Sequence, residues 1–104
     1  MIVTTAFDVP GKKIAKVLGI ARGNTVRSRN LGRDIAAGFK NLMGGEIKVY
    51  TEMAAQSRDE ALNRMINDAI KMGADAIIGF RFTSSTVMQA SSEILAYGTA
   101  VKLG

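Results

Sequence analysis

The sequence predicts a single α+β domain over residues 1–104, with a small antiparallel sheet and two helices in the order β-β-α-α-β-β. Three observations support this fold class. The length of 104 residues suits one domain with one core. Strand-like stretches toward both ends of the chain carry apolar or small residues on both faces. Between them, apolar residues recur at the three- and four-residue spacings of helices.

Two strands are predicted near the N-terminus. Residues 2–5 are mostly β-branched, and Pro10-Gly11 marks a turn before a long second strand over 12–28. One face of that second strand is small and smooth: Ala15, Val17, Gly19, Ala21 and Gly23. Because small side chains allow another element to approach closely, we expect a helix or a backbone to pack on this face.

Two helices are predicted in the middle of the chain. Asn30 suits the N-cap of a first helix over about 31–43, which Gly44-Gly45 would end. The second helix is predicted over 46–72, because its apolar residues follow a 3-4-3 spacing: Leu62, Met65, Ala69 and Met72. At 1.5 Å per residue this helix is about 40 Å long. A compact domain of this size has a radius of gyration of only roughly 13 Å, so we expect the helix to lie along a neighbouring subunit.

Two further strands are predicted over 74–86 and 93–103, joined by a short polar hairpin. In the first of them, Ile78, Phe80 and Phe82 are expected on one face, opposite Ile77, Gly79, Arg81 and Thr83. In the last strand, alternation separates two sets: Leu95, Tyr97, Thr99, Val101 and Leu103 from Ile94, Ala96, Gly98 and Ala100. Two helices cover only one face of such a sheet. The other face is also apolar or small, so the sequence predicts a homo-oligomer in which another copy covers it.

The composition excludes several kinds of chemistry. The chain has no cysteine and no histidine, which excludes disulfides, thiolate or imidazole metal ligands, a cysteine nucleophile and a histidine-based triad. Thioethers could hold Cu(I), but Met65 and Met72 lie on the apolar stripe of the second helix, where core packing explains them. The sequence therefore predicts no cofactor, no metal ligands and no catalytic residues. It also shows no signal peptide and no apolar stretch of about 20 residues, so we expect a soluble cytoplasmic protein.

The net charge of +5 is distributed unevenly. Residues 1–45 hold eight Lys or Arg and two Asp, which gives +6, whereas residues 46–104 hold six Lys or Arg and seven Asp or Glu, which gives −1. The basic half could attract a small anion or RNA. Phe7 and Phe39 are its only aromatic residues, which disfavours nucleic acid because no stacking platform is evident.

The candidate anion-binding residues cluster where the first helix is predicted to begin: Arg27, Arg29, Asn30 and Arg33. A helix N-terminus with arginines nearby is suited to phosphate or carboxylate. The alternative, which we prefer, is that Arg29 or Arg33 pairs with Asp34, Glu46 or an acid of a neighbouring subunit.

Arg81 is the second candidate, because it stands between Phe80 and Phe82 on a predicted strand. If its face lies at a subunit interface, the guanidinium needs an acidic partner or a backbone carbonyl. An interface ion pair is the interpretation we prefer, and contact with a ligand in a central channel is the alternative.

Four segments of the chain resemble the YbjQ-like family of small bacterial and archaeal proteins: GNTVRSRNLGRDI (23–35), GGEIKVYTEMAAQSRDEALNRM (44–65), MGADAIIGFRF (72–82) and LAYGTAVKL (95–103). The resemblance covers nearly the whole chain, in order. It implies a dodecin-like subunit that assembles into a pentameric ring, sometimes stacked in pairs. It also brings the family's label of heavy-metal binding, without an established activity. This chain lacks the cysteine and histidine that soft metals usually require.

The resemblance and the strand faces together predict a non-enzymatic binding or scaffold module that assembles as a homopentamer, with a decamer of two stacked rings as a variant. A small anion is the expected ligand, and no contact with a membrane is expected. The alternatives are a heavy-metal-binding ring, as the family label implies, and an enzyme that acts on a small anionic substrate.

Overall fold

The computed structural model describes residues 1–28, 46–88 and 91–104. In this part of the chain the elements are β1 (Ile2–Val3), β2 (Ile14–Ser28), α1 (Glu46–Lys71), β3 (Ala76–Met88) and β4 (Ser91–Leu103). They form an α+β domain, as predicted. The predicted first helix over 31–43 lies outside the described residues, so the count of two helices stays a prediction.

The four strands form one sheet in the order β1-β3-β4-β2. Strand β4 pairs antiparallel with β3, as the predicted hairpin requires, and also antiparallel with β2. Strand β1 pairs parallel with β3, with Ile2 opposite Ala76. The sheet is therefore mixed, and the prediction of a purely antiparallel sheet was wrong at β1. A local pattern shows that residues 2–5 are extended, but their partner is selected by contacts far along the chain.

The N-terminal segment follows β3 beyond β1. The amide of Thr4 donates to the carbonyl of Ile77 at 3.0 Å, and the amide of Gly79 donates to the carbonyl of Ala6 at 2.8 Å. The chain then leaves this edge, and Val9 packs with Ala76, Ile78 and Val101 in a small cluster on the sheet face opposite α1. This loop therefore covers one end of a face that no described helix covers.

Helix α1 packs against the small faces of β2 and β4. Its apolar stripe is fully buried at Ala61, Met65 and Ala69, among core residues that also include Ala21, Ile77, Ala96 and Ala100. The observed bounds agree with the predicted helix over 46–72 to within one residue at the C-terminal end. Gly73 follows the helix with a φ of 82°, the left-handed conformation that commonly terminates helices.

The small face of β2 brings α1 unusually close to the strand. A Cβ on Gly23 would stand 2.3 Å from the amide nitrogen of Met65 and 2.5 Å from the carbonyl oxygen of Ala61. The expectation that small residues admit a helix here is confirmed from Gly19 to Gly23. An irregularity between Val17 and Gly19 places Val17 opposite Val101, away from the helix.

Strand β3 contains a bulge at Gly79, whose φ is 63°. Ile78 lies opposite Thr99, but the next aligned pair is Arg81 with Tyr97, so β3 has two residues against one of β4. The extra residue reverses the alternation of side chains. Phe80 consequently packs with the helix-side core, and Arg81 points to the other face with Ile78. The predicted face of Ile78, Phe80 and Phe82 was therefore wrong, whereas the two predicted faces of β4 are confirmed.

The chain is elongated, with principal extents of 54 × 26 × 19 Å and a radius of gyration of 16.9 Å. The length follows from β2, because 15 residues in a strand at about 3.3 Å each approach 50 Å. Within the described ranges, no helix has both the length and the apolar character of a membrane span.

Candidate functional site

Arg27 is the one predicted anion-binding residue that the structure describes. Its Nε donates a hydrogen bond of 3.0 Å to the hydroxyl of Ser57, and its guanidinium forms an ion pair with Glu60. Glu60 also pairs with Arg64 at 2.6 Å. Through these contacts, Arg27 links β2 to α1. Arg29, Asn30 and Arg33 lie outside the described residues, so the anion site at the start of the first helix stays a prediction.

A second group of charged side chains caps the outer edge of β2. A carboxylate oxygen of Asp68 accepts a hydrogen bond of 3.0 Å from the backbone amide of Arg22, and Nη1 of Arg64 donates to the carbonyl of Asn24 at 2.6 Å. An unpaired strand edge is a template for adding another strand, and these two contacts occupy its middle. A cleft of about 330 Å³ follows the same edge, with Asn67 and Lys71 also in its wall.

We call the sheet face opposite α1 the open face. Alternation along β2 and β4 places large apolar side chains there that remain well exposed: Val17 at 61%, Ile20 at 69%, Val26 at 53% and Tyr97 at 37%. Phe7, in the loop after β1, is exposed at 76%. The open face thus carries several large apolar side chains that the described part of the chain leaves uncovered.

A row of three polar side chains crosses the open face, and we call Arg22, Tyr97 and Arg81 the Arg–Tyr–Arg row. Tyr97 on β4 lies opposite Arg22 on β2 and opposite Arg81 on β3. Neighbouring strands are about 4.8 Å apart, so the two arginine backbones are separated by about 10 Å, with the phenol ring between them. All three residues are exposed. The bulge at Gly79 completes the row, because it turns Arg81 to this face.

Arg81 is held in place by its own chain. Its Nη1 donates to the carbonyl of Thr5 at 3.2 Å and to the carbonyl of Phe80 at 2.7 Å, and the guanidinium carbon lies 5.8 Å from the centroid of the Phe7 ring. These contacts limit the positions that the guanidinium can adopt. The predicted interface ion pair of Arg81 would need an acid from another subunit and stays a prediction.

The guanidinium of Arg22 differs from that of Arg81. Across residues 1–28, 46–88 and 91–104 it has no hydrogen-bond or ion-pair partner; only its backbone amide is engaged, by Asp68. Glu93 lies on the same face, but it accepts a hydrogen bond of 2.9 Å from the side-chain amide of Asn24. The row therefore presents hydrogen-bond donors and two positive charges.

Three further carboxylates of the described residues have structural partners. Glu60 joins two arginines, Asp68 caps the edge of β2, and Asp75 accepts a hydrogen bond of 2.9 Å from the backbone amide of Leu103. Together with Glu93, each binds a group that holds two segments of the fold together. These carboxylates can be explained by structure alone.

A family model described as "Putative heavy-metal-binding", that of the YbjQ family, matches residues 1–104. The chain belongs to the YbjQ family. Relatives include a "UPF0145 protein" of Thermotoga maritima, 60% identical over 103 residues, and one of Fervidobacterium nodosum, 62% identical over 103 residues. These alignments cover 99% of this chain and 97% and 95% of the respective relatives.

A solved structure has the same fold as this YbjQ-family chain. It is a protein of unknown function of the DUF74 family from Pediococcus pentosaceus, with a TM-score of 0.68 and 18% sequence identity, covering 100% of this chain and 98% of the other. At that identity the likeness concerns the fold alone.

The residues of this chain do not fit the heavy-metal description of the YbjQ family. The sequence contains neither cysteine nor histidine. In the described part of the chain, no three acidic side chains gather as a metal-binding group. Met65 is fully buried in the core, and the methyl group of Met72 lies 3.2 Å from where a Cβ of Gly19 would be. Both thioethers therefore serve packing, and neither contributes to a soft-metal site.

The row was only partly predictable from the sequence. Arg81 stood out because an arginine between two phenylalanines is unusual in a buried strand. Arg22 and Tyr97 carried no local signal, since their proximity depends on the register of three strands. The one sequence signal was alternation, which placed Tyr97 and Leu95 on one face of β4.

Proposed function

We propose that this YbjQ-family chain is the subunit of a homopentameric ring that serves as a non-enzymatic binding or scaffold module. The observation that carries the proposal is the open face, where Val17, Ile20 and Val26 are more than half exposed. Burying one such side chain fully is favourable by about 1.5–3 kcal/mol. A soluble monomer rarely leaves an apolar surface of this kind uncovered, so a second copy of the chain is the expected cover.

The edges of the sheet favour a ring over an isolated pair. Strand β2 forms one edge of the sheet. At the opposite edge, no described strand lies beside β3 after Phe80, where the contacts with the N-terminal segment end. The two edges differ in sequence and in their neighbours. A contact between unlike surfaces of identical subunits is heterologous, and such contacts close into rings when the rotation permits. The family resemblance supports five subunits.

The roles of the carboxylates support a non-enzymatic module. General acid–base catalysis needs a proton-transfer group within reach of a substrate, and histidine is absent from the sequence. Glu60, Asp68, Asp75 and Glu93 already bond to backbone or side-chain groups of the fold. A surface that presents apolar side chains and arginines is suited to binding.

Sedimentation velocity across a dilution series of untagged protein tests this proposal. We expect one assembled species at micromolar concentration for the wild type. Ile20→Asp places a charge on the open face and should dissociate the assembly. Ile70→Asp is the matched control, because Ile70 is similarly exposed, at 57%, but lies on α1. A monomeric wild type, or an Ile20→Asp variant that assembles as well as Ile70→Asp does, would overturn the proposal.

A further inference from the structure

We infer that the outer edge of β3, over residues 82–86, pairs with the same segment of a second copy of this chain. The two strands run antiparallel and are related by a two-fold axis at Ser84. The contact is made by the backbone of β3 and is separate from the open face, so both surfaces can be covered at once. Together with the proposed ring it joins two rings, and without the ring it gives a dimer.

The hydrogen-bonding pattern of the sheet shows which backbone groups of β3 point outward. The backbone amide of Arg22 donates to Asp68 at the outer edge of β2, so the backbone groups of Arg22 point away from β4. Tyr97, which lies opposite Arg22, therefore directs its own backbone groups to β3, where Arg81 is its partner. The direction alternates along an antiparallel strand, so the next residues of β3 whose amides and carbonyls point outward are Phe82, Ser84 and Thr86.

These outward groups have no partner in the part of the chain that the structure describes. The N-terminal segment bonds to this edge only as far as Phe80, whose amide donates to the carbonyl of Thr4 at 3.0 Å. Residues 82–86 continue the strand and are exposed. An edge of unpaired amides and carbonyls is a template for another strand. The first half of this edge already pairs with a strand of its own chain, and the second half is open to a further one.

The two outer edges of the sheet differ in how they are protected against such pairing. At the β2 edge, Asp68 and Arg64 of α1 occupy backbone groups in the middle of the strand. At the β3 edge, residues 82–88 contain no charged residue, no proline and no glycine: FTSSTVM. Charged side chains and proline are the usual means by which proteins prevent edge strands from pairing. The free part of β3 lacks both.

The same segment of a second copy is complementary to this edge. In an antiparallel pair centred on Ser84, each of the three facing pairs of outward residues exchanges two hydrogen bonds, about six in all. Phe82 then lies opposite Thr86 of the partner subunit, and an aromatic side chain beside a β-branched one is a favourable cross-strand pair. No like charges face each other, because residues 82–86 are uncharged.

The length of β3 also favours this occupant. The strand ends at Met88, two residues after Thr86. In the register centred on Ser84, the partner strand therefore ends about where the N-terminal segment leaves the edge at Phe80. The β2 edge of a second copy is a poorer partner, because side chains of α1 already occupy its middle.

The test is a disulfide across the two-fold axis, because the chain has no cysteine of its own. Ser84→Cys places two thiols opposite each other with Cα atoms about 5.5 Å apart, which suits a disulfide. Oxidation with diamide should convert most of the variant into covalent dimer on a non-reducing gel. Ser85→Cys is the matched control, because it is equally exposed but its Cα lies about 8 Å from its counterpart, too far for a disulfide.

Native mass spectrometry of the same samples gives a second measurement. Wild-type protein should contain an even number of chains. Ser84→Lys sets two like charges directly opposite each other and should halve the mass of the assembly. Circular dichroism should show that this variant is folded, because Ser84 is exposed.

The outcomes separate this inference from the proposed ring. If Ser84→Cys forms no more covalent dimer than Ser85→Cys, the β3 contact is overturned. A wild-type assembly of five chains also overturns it and leaves the ring intact, as does a larger assembly whose mass Ser84→Lys does not change. A wild type of two chains that forms the disulfide only at residue 84 supports the β3 contact and overturns the ring.

Discussion

Gly23 on β2 and Met65 on α1 are in backbone contact: a Cβ at residue 23 would lie 2.3 Å from the amide nitrogen of residue 65. Real Cβ atoms do not approach another atom so closely. Because the obstacle is helix backbone, which cannot rotate away, α1 is held against β2 only while residue 23 has no side chain. This contact sets the position of α1 on one face of the sheet; among the described residues, no helix lies on the opposite face.

Gly23→Ala should therefore destabilise the fold. A methyl group at this position forces α1 away from β2 and disturbs the packing of Ala61 and Met65, which we expect to lower the free energy of unfolding by about 2 kcal/mol or more. Urea denaturation followed by circular dichroism measures the change. Ser85→Thr also adds one methyl group to a strand, but at an exposed position, and should have little effect. Equal stability of the two variants would show that α1 is not in contact with Gly23.

Gly79→Ala should cost more than Gly73→Ala, although both glycines have φ in the left-handed region, at 63° and 82°. For any residue with a side chain, this conformation costs about 1 kcal/mol or more. At Gly73 a Cβ would meet nothing within 4 Å, whereas at Gly79 it would stand 3.0 Å from the ring of Phe7. We expect the thermal midpoint of Gly79→Ala to be the lower of the two.

A Gly79→Ala variant with the same midpoint as Gly73→Ala would contradict the contact between residue 79 and Phe7.

The sequence allowed local features to be predicted well. Helix α1 was predicted to within one residue, because its apolar spacing repeats over several turns and Gly73 follows it. The alternation of β4 was predicted correctly, because the extra residues at its register shifts lie on β2 and β3. Strand β4 itself alternates without interruption, and Ala96, Gly98 and Ala100 face the helix. Both features depend on residues close together in the chain.

The features that the sequence did not reveal depend on distant partners. The bulge at Gly79 inverts the faces of β3, and strict alternation cannot show which glycine in a strand is left-handed. The parallel pairing of Ile2 with Ala76 joins segments more than 70 residues apart. The proximity of Arg22, Tyr97 and Arg81 depends on the β2–β4 register and on the β3–β4 register together. Alternation within single strands therefore pointed only to Arg81.

Glu60→Gln should reduce stability modestly and in a salt-dependent way. Glu60 joins Arg27 of β2 to Arg64 of its own helix, and all three side chains are partly exposed. Solvent screens such pairs, so we expect a loss of about 1 kcal/mol or less in the free energy of unfolding at low salt. The loss should shrink in about 1 M salt, where the screening length falls to about 3 Å. Glu52→Gln, at an exposed position on the same helix, is the control. If the loss of unfolding free energy does not change with salt, then hydrogen bonding and packing, rather than charge attraction, stabilise this contact.

We propose that further copies of the same chain cover the open face in a closed ring. Native mass spectrometry of gently purified, untagged protein tests it most directly. The proposed pentamer has a mass of about 56 kDa, five times the 11.1 kDa of one chain, or twice that value if two rings stack. A single species of 11.1 kDa at micromolar concentration would contradict the claim, because the open face would then be exposed in solution.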